Sequence, residues 1–206
     1  YNIGASHVIQ DKEKLELVKL NQLAAHRAKG SLALSSASQF LQTALALLEQ
    51  INDYDQDLHF ALSYETALCN MMQGNISEAA KQFVALIPKC KSDAQQAEIC
   101  NMLVETSAAA MEYSDAVKWG LRGLKLLGFD IPPDPTEEEV KKAYKSVWSN
   151  IGNRTIESLV DLPLMTDPNR LQIAKILQSM YTPLISVNSK LLVLCQCMIC
   201  LLYTSD

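Results

Sequence analysis

The chain has 206 residues, enough to bury the core of one domain or of two small ones. Hydrophobic residues make up 49% and charged residues 20%, which excludes a disordered chain. A net charge of −5, with basic residues scattered and never in a run longer than two, excludes a dedicated nucleic-acid surface and disfavours anionic membranes.

Taken in chain order, three segments carry apolar or small residues at i, i+3, i+4, i+7, i+8 and i+11, the spacing of one stripe on an α-helix. They are Ala37-Phe40-Leu41-Ala44-Leu45-Leu48, Ile76-Ala79-Ala80-Phe83-Val84-Ile87 and Tyr113-Ala116-Val117-Gly120-Leu121-Leu124. Each follows another helical stretch, at 12–29, 56–73 and 93–111, with breaks at Gly30-Ser31, Gln73-Gly74-Asn75 and Glu112-Tyr113-Ser114. Ser92-x-x-Gln95 has the form of a capping box, in which side chains satisfy free first-turn amides. From Ala37 to Ile76 to Tyr113 the stripe shifts by 39 and then 37 residues.

A two-helix unit at that period resembles a tetratricopeptide repeat. The middle unit fits best, with Ala67, Gly74, Ala79, Phe83 and Pro88 at the small, turn, alanine, aromatic and proline positions. The first could be registered a turn later, and the third has Gly120 where an aromatic is usual. The expected fold is therefore all-α, a tetratricopeptide-like solenoid of antiparallel helix pairs over residues 1–128. Residues 129–135 (Phe129-Asp130-Ile131-Pro132-Pro133-Asp134-Pro135) read as a stiff extended connector. Residues 136–199 read as further helices of the same solenoid. Thr136-x-x-Glu139 caps the first, whose stripe is Val140-Ala143-Tyr144-Val147-Trp148-Ile151, and Asp167-Pro168 starts another of about 168–182. A last helix runs from 188 onward.

From Leu126 to Pro168 the chain resembles a helical region of very large bacterial signalling kinases. The motifs that carry the resemblance are Leu126-Leu127-Gly128-Phe129-Asp130-Ile131-Pro132 and Arg154-Thr155-Ile156-Glu157-Ser158-Leu159-Val160-Asp161-Leu162-Pro163-Leu164-Met165-Thr166-Asp167-Pro168. Phe40 to Leu48 resembles the same region. Asn153, where the family has glycine, and Ser186-Val187-Asn188 depart from its pattern. Such proteins join a serine/threonine kinase, an AAA-type ATPase, this helical region, a GAF sensor and often a histidine kinase. The resemblance thus implies a scaffold or relay segment between ATPase and GAF sensor, in a cytoplasmic protein whose full-length parent is a protein kinase and ATPase. The partners implied are other domains of the same polypeptide, or a protein or peptide. The alternative is a free-standing tetratricopeptide-type peptide-binding adaptor.

No catalytic, cofactor or metal residue is expected in the segment itself. It lacks a G-x-x-x-x-G-K-[ST] loop, and Ala28 follows His26-Arg27 where a kinase catalytic loop needs its acid. Gly128-Phe129-Asp130 is the kinase metal triplet reversed. The six cysteines read as reduced, mostly buried thiols. Cys197-x-x-Cys200 lacks further zinc ligands, because His7, His26 and His59 lie far upstream. Leu191–Tyr203 is 13 residues long, short of a membrane span. Read back as codons, residues 200–206 match TGT CTC TTA TAC ACA TCT GAC, a string that resembles a transposase adapter of sequencing libraries. Together with Tyr1, which is not a start residue, this leads us to expect adapter read-through at about Cys200.

Four groups invite functional readings, and each has a structural expectation. Trp119 and Trp148 should pack between helices. Met71-Met72 should be a helix end tucked under the next pair. Glu137-Glu138-Glu139 should serve capping and the helix dipole. Arg154 with Glu157 and Asp161 should form an internal ion pair that fixes its loop.

Overall fold

The computed structural model describes residues 10–204, apart from the side chain of Val160; Tyr1, His7, Ser205 and Asp206 lie outside the described residues. Among the described residues regular structure is helical throughout, in ten α-helices and two short 3-10 turns without a strand. The chain divides into two compact units, with the boundary between Lys89 and Cys90. That boundary falls inside the stretch expected as one array over 1–128.

The first unit contains α1 (Asp11–Gly30), α2 (Leu34–Leu48), α3 (Gln56–Met72) and α4 (Ile76–Leu86), followed by a 3-10 turn over Ile87–Lys89. Each helix packs on its neighbour in sequence. Cross-links give the directions. Lys14 Nζ donates to the Gln50 carbonyl (3.3 Å), which sets the start of α1 beside the end of α2. Cys69 Sγ donates to the Leu34 carbonyl (3.4 Å), which sets the end of α3 beside the start of α2. Glu65 on α3 ties back to α1 through Lys29 and through His26 Nε2 at 3.6 Å. Val18, Ala25, Ala37, Leu41, Leu48 and Leu62 fill the core between these helices.

One turn recurs at each helix pair. Leu32, Gly74 and Met111 adopt φ of 59°, 82° and 61°. After each, an amide reaches back five residues to a carbonyl, in Ala33→Ala28, Asn75→Asn70 and Glu112→Ser107 at 2.8–2.9 Å. This is the Schellman closure, which satisfies carbonyls the helix end leaves unpaired. The breaks therefore centre on Leu32 and Met111 rather than on Gly30-Ser31 and Tyr113. Measured from the turn residue, buried positions repeat at +5 (Ala37, Ala79, Ala116), +9 (Leu41, Phe83, Gly120) and +12 (Ala44, Leu86, Gly123). From Leu32 to Gly74 to Met111 the step is 42 and then 37 residues. The first stripe thus aligns three residues later than the 39-residue shift predicts.

The second unit begins with the hairpin of α5 (Asp93–Ala109) and α6 (Tyr113–Leu126). Residues 127–136 follow without helix and pack into the fold as they lead to α7. Ile131 is 7% exposed within the core, and Asn188 Nδ2 donates to the Pro133 carbonyl at 3.3 Å. Then come α7 (Glu137–Ile151), a 3-10 turn over Glu157–Asp161, α8 (Pro168–Ser179), α9 (Tyr181–Val187) and α10 (Ser189–Thr204). The helix expected over 168–182 breaks at Met180, because Pro183 has no N–H to give the Ser179 carbonyl.

Packing in this unit leaves chain order. The α8–α9 segment lies against α5 and α6, while α7 pairs with α10. Its core holds Val104, Leu124, Ile131, Val147, Ile176, Met180, Leu184 and Leu191. The approach to α6 is close because glycines face it. A Cβ on Gly120 would lie 2.3 Å from Met180 Sδ, and one on Gly123 would lie 3.0 Å from both Cys100 Cβ and Ile176 Cδ1. No helix among the described residues is long and apolar enough to cross a membrane.

Candidate functional site

The sequence marks no catalytic constellation, so the site is sought where polar groups converge. Within the second unit, α5 and α8 run side by side with their N-termini at the same end. Gln172 Nε2 donates to the Ala94 carbonyl (2.7 Å) near the two starts, and Ser179 Oγ lies 3.3 Å from Glu105 Oε1 near the two ends. Both starts are well capped. Ser92 Oγ accepts from the Gln95 amide at 3.2 Å, and Gln95 Oε1 accepts from the Lys91 amide at 2.7 Å, one residue before its usual partner in a capping box. Asp167 Oδ1 accepts from Asn169 (2.8 Å) and Arg170 (3.3 Å), with Pro168 first in the helix.

Between the two helices lies an open groove of about 700 Å³. Lys91, Gln95 and Glu98 from the α5 side and Gln172 and Lys175 from α8 line it, over an apolar base that includes Met102 and Leu171. Asn101 lines it too, and is 7% exposed. Its Nδ2 donates to Glu105 Oε1 at 3.2 Å, while its Oδ1 is buried without a hydrogen-bond partner. Leaving a buried acceptor unpaired costs about 1–3 kcal/mol. Chemically the groove is lined by lysines, a carboxylate, amides and the Ser92 hydroxyl.

The groups weighed from sequence fall elsewhere. Trp119 is partly buried against the second core and stacks under Arg122, whose guanidinium carbon is 5.3 Å from the ring centre. Trp148 does not pack between helices as expected: it is 48% exposed and meets the exposed Tyr144 edge-on. The reason is register, since α7 buries Ala143, Val147 and Ile151, with Val140 partly buried beside them. Met72 is likewise 45% exposed rather than tucked away. Glu139 completes the capping box with Thr136, whose amide and hydroxyl donate to its carboxylate and hold that carboxyl below its usual range. Arg154 forms no ion pair with Glu157 or Asp161 among the described residues. It donates to the Asn150 carbonyl at 3.4 Å, and Thr155 with Ser158 closes the loop through short-range hydrogen bonds.

His59 in the first unit stacks on Tyr54 and lies 3.3 Å from Glu49 Oε1 and 3.4 Å from Ser63 Oγ. Burial pushes the Cys100 thiol to about 11 and that of Cys195 to about 12, and it raises Cys197 as well. These thiols stay protonated at neutral pH, the opposite of what a thiolate nucleophile requires. Among the described residues no group of three or more His, Cys, Asp and Glu side chains is placed to hold a metal ion. Sequence reasoning missed Asn101, Gln172 and Lys175. The available signal was Asn101 itself, an amide set among Cys100, Leu103 and Val104 on an otherwise buried face.

No protein-family model matches the chain, and no solved structure matches it. Among curated proteins it is similar to hybrid signal transduction histidine kinase G of Dictyostelium discoideum, at 23% identity over 171 residues. That match covers 78% of this chain and 5% of the relative. The likeness supports a signalling context, and the relative is eukaryotic where the sequence reading expects bacterial proteins.

Proposed function

We propose that this chain is a non-catalytic helical-repeat segment, tetratricopeptide-like in its hairpins, that serves as scaffold or relay in a signal-transduction kinase. In this reading it lies between an ATPase domain and a GAF sensor, and it works in the cytoplasm. The observation that carries the reading is the 171-residue similarity to a hybrid histidine kinase, over a stretch that is only 5% of that protein. Support from the fold comes from the recurrent Schellman hairpin at Leu32, Gly74 and Met111, with small residues at +5 in every copy. Small residues there let paired helices approach closely, which is how repeat modules build extended holding surfaces. Partners are then other domains of the parent polypeptide, or a protein or peptide bound on the helices.

Two measurements test this. The purified 206-residue chain should hydrolyse no ATP and incorporate no labelled phosphate; turnover above a buffer blank would overturn the non-catalytic assignment. In the full-length parent, deleting the segment should leave the kinase domain folded but uncouple its phosphorylation from the upstream signal. The alternative, a free-standing peptide-binding adaptor, is favoured by the groove between α5 and α8. It is distinguished by whether kinase and sensor domains flank this segment in the parent gene.

A further inference from the structure

We infer that the outer face of α7 docks an acidic segment of a partner protein, one that also carries an apolar anchor residue. This rests on the proposed reading that the module holds polypeptide, and it names the face and the chemistry. Register sets the face. Ala143, Val147 and Ile151 are buried in the core on the side where α10 packs, which leaves the opposite side of α7 exposed. There Lys141, Tyr144, Lys145 and Trp148 follow at i, i+3, i+4 and i+7, one continuous stripe, with Lys142 on its flank. All five are exposed.

The stripe joins two kinds of contact. Tyr144 and Trp148 meet edge-on with ring centres 6.1 Å apart, so each restrains the other and together they form an apolar platform in place before binding. Such rings carry much of the energy at protein interfaces. From Lys141 to Asn150 the helix has three lysines and no acid. Lys141 is paired with Glu137 at 3.6 Å, whereas Lys142 and Lys145 form no ion pair among the described residues. The three lysines line a shallow hollow of about 470 Å³, with Glu138 at the end nearer the helix start. Two uncompensated ammonium groups on a chain of net charge −5 reverse the sign locally, and their complement is a pair of carboxylates. Lys142 and Trp148 are about 9 Å apart along the axis at 1.5 Å per residue, a span of about three residues of extended chain at about 3.3 Å each. The partner's anchor therefore lies about three residues from its carboxylates. A lipid surface fits less well, because the apolar line of α7 is turned to α10 and anionic headgroups repel an acidic chain.

The test titrates the full 206-residue chain, ¹⁵N-labelled, with three end-blocked peptides: Glu-Glu-Gly-Leu-Leu-Gly, Lys-Lys-Gly-Leu-Leu-Gly and Glu-Glu-Gly-Ser-Ser-Gly. The first should shift the indole N–H of Trp148 and leave that of Trp119 in place, and it should bind at least tenfold more tightly than either of the others. Lys142→Glu together with Lys145→Glu should weaken it at least tenfold. Trp148→Ser should do the same, and both variants should keep the thermal midpoint because the three side chains are exposed. Equal binding of the acidic and basic peptides, shifts centred away from α7, tighter binding to phosphatidylserine vesicles than to peptide, or self-association of the chain through α7 would each overturn the inference. If the isolated chain binds and the full-length parent does not, a domain of the parent covers α7 and the assignment to a separate partner falls. If no peptide binds while segment deletion still uncouples the parent kinase, the α7 assignment falls and the relay reading stands.

Discussion

The hairpin of α3 and α4 and the hairpin of α5 and α6 share one backbone turn and one burial register, yet they fill the +9 position in opposite ways. In the first, Phe83 is fully buried and meets Tyr64 edge-on with ring centres 5.8 Å apart. In the second, Gly120 leaves the place empty of its own side chain, and Met180 enters from the α8–α9 junction. One pair supplies its own wedge; the other leaves a socket for the next element. The backbone repeat and the side-chain repeat are thus separable: close approach at +5 is kept in every copy, while volume at +9 is only conserved when the neighbour is counted.

That contrast can be broken by exchange. Phe83→Ala should cost the most, about 3–5 kcal/mol, because it leaves a cavity no neighbour fills. Urea unfolding should show it, and a change under 1 kcal/mol would mean the site collapses freely. Gly120→Phe puts the first solution into the second hairpin and should cost about 1–3 kcal/mol by overpacking. Met180→Ala in the same chain should recover part of that, and strict additivity of the two changes would deny that Met180 occupies the socket.

The turns themselves come next in size. Leu32→Gly and Met111→Gly should each stabilise by about 0.5–1 kcal/mol, because a branched or long residue at positive φ carries backbone strain that glycine lacks. Gly74→Ala should destabilise by about 1 kcal/mol for the same reason. Calorimetry on the three variants decides whether the turns are as alike as their dihedrals. The smallest effect concerns helix starts. Asp55 caps α3 alone, whereas Thr136 and Glu139 cap α7 reciprocally. The folded carboxyl of Glu139 is held low, so its contribution is present above the ordinary glutamate range near about 4.3 and is lost as pH falls through the lower folded value. Amide exchange at the start of α7 should accelerate only in acid, and Glu139→Gln should remove that pH dependence.

How much of this was legible follows from which residues announce themselves. Helix starts were readable because Ser92, Thr136 and Asp167 are side chains whose capping chemistry is local. The middle turn was readable because Gly74 occupies the positive-φ position. The outer turns were misplaced because leucine and methionine sit there, 76% and 77% exposed, where pattern reading looks for glycine. Periodicity also mistook Tyr144 and Trp148 for inward positions, since on a helix covered along one line the flanks of an apolar stripe remain open. The groove was invisible to periodicity. Its walls come from helices 75 positions apart in the chain, and only their lateral contact sets Asn101, Gln172 and Lys175 around one space.

The pairing of α7 with α10 carries a consequence for how the molecule is made. The first unit closes through neighbours in sequence, so it can reach its final form while later residues are still being added. The second cannot. Until Ser189–Thr204 emerges, Ala143, Val147 and Ile151 lack the helix they pair with, and the growing chain holds an amphipathic helix with its apolar line uncovered. Synthesis therefore yields an early, fast-forming half and a late, slower one, and the interval between them is where chaperone protection matters most.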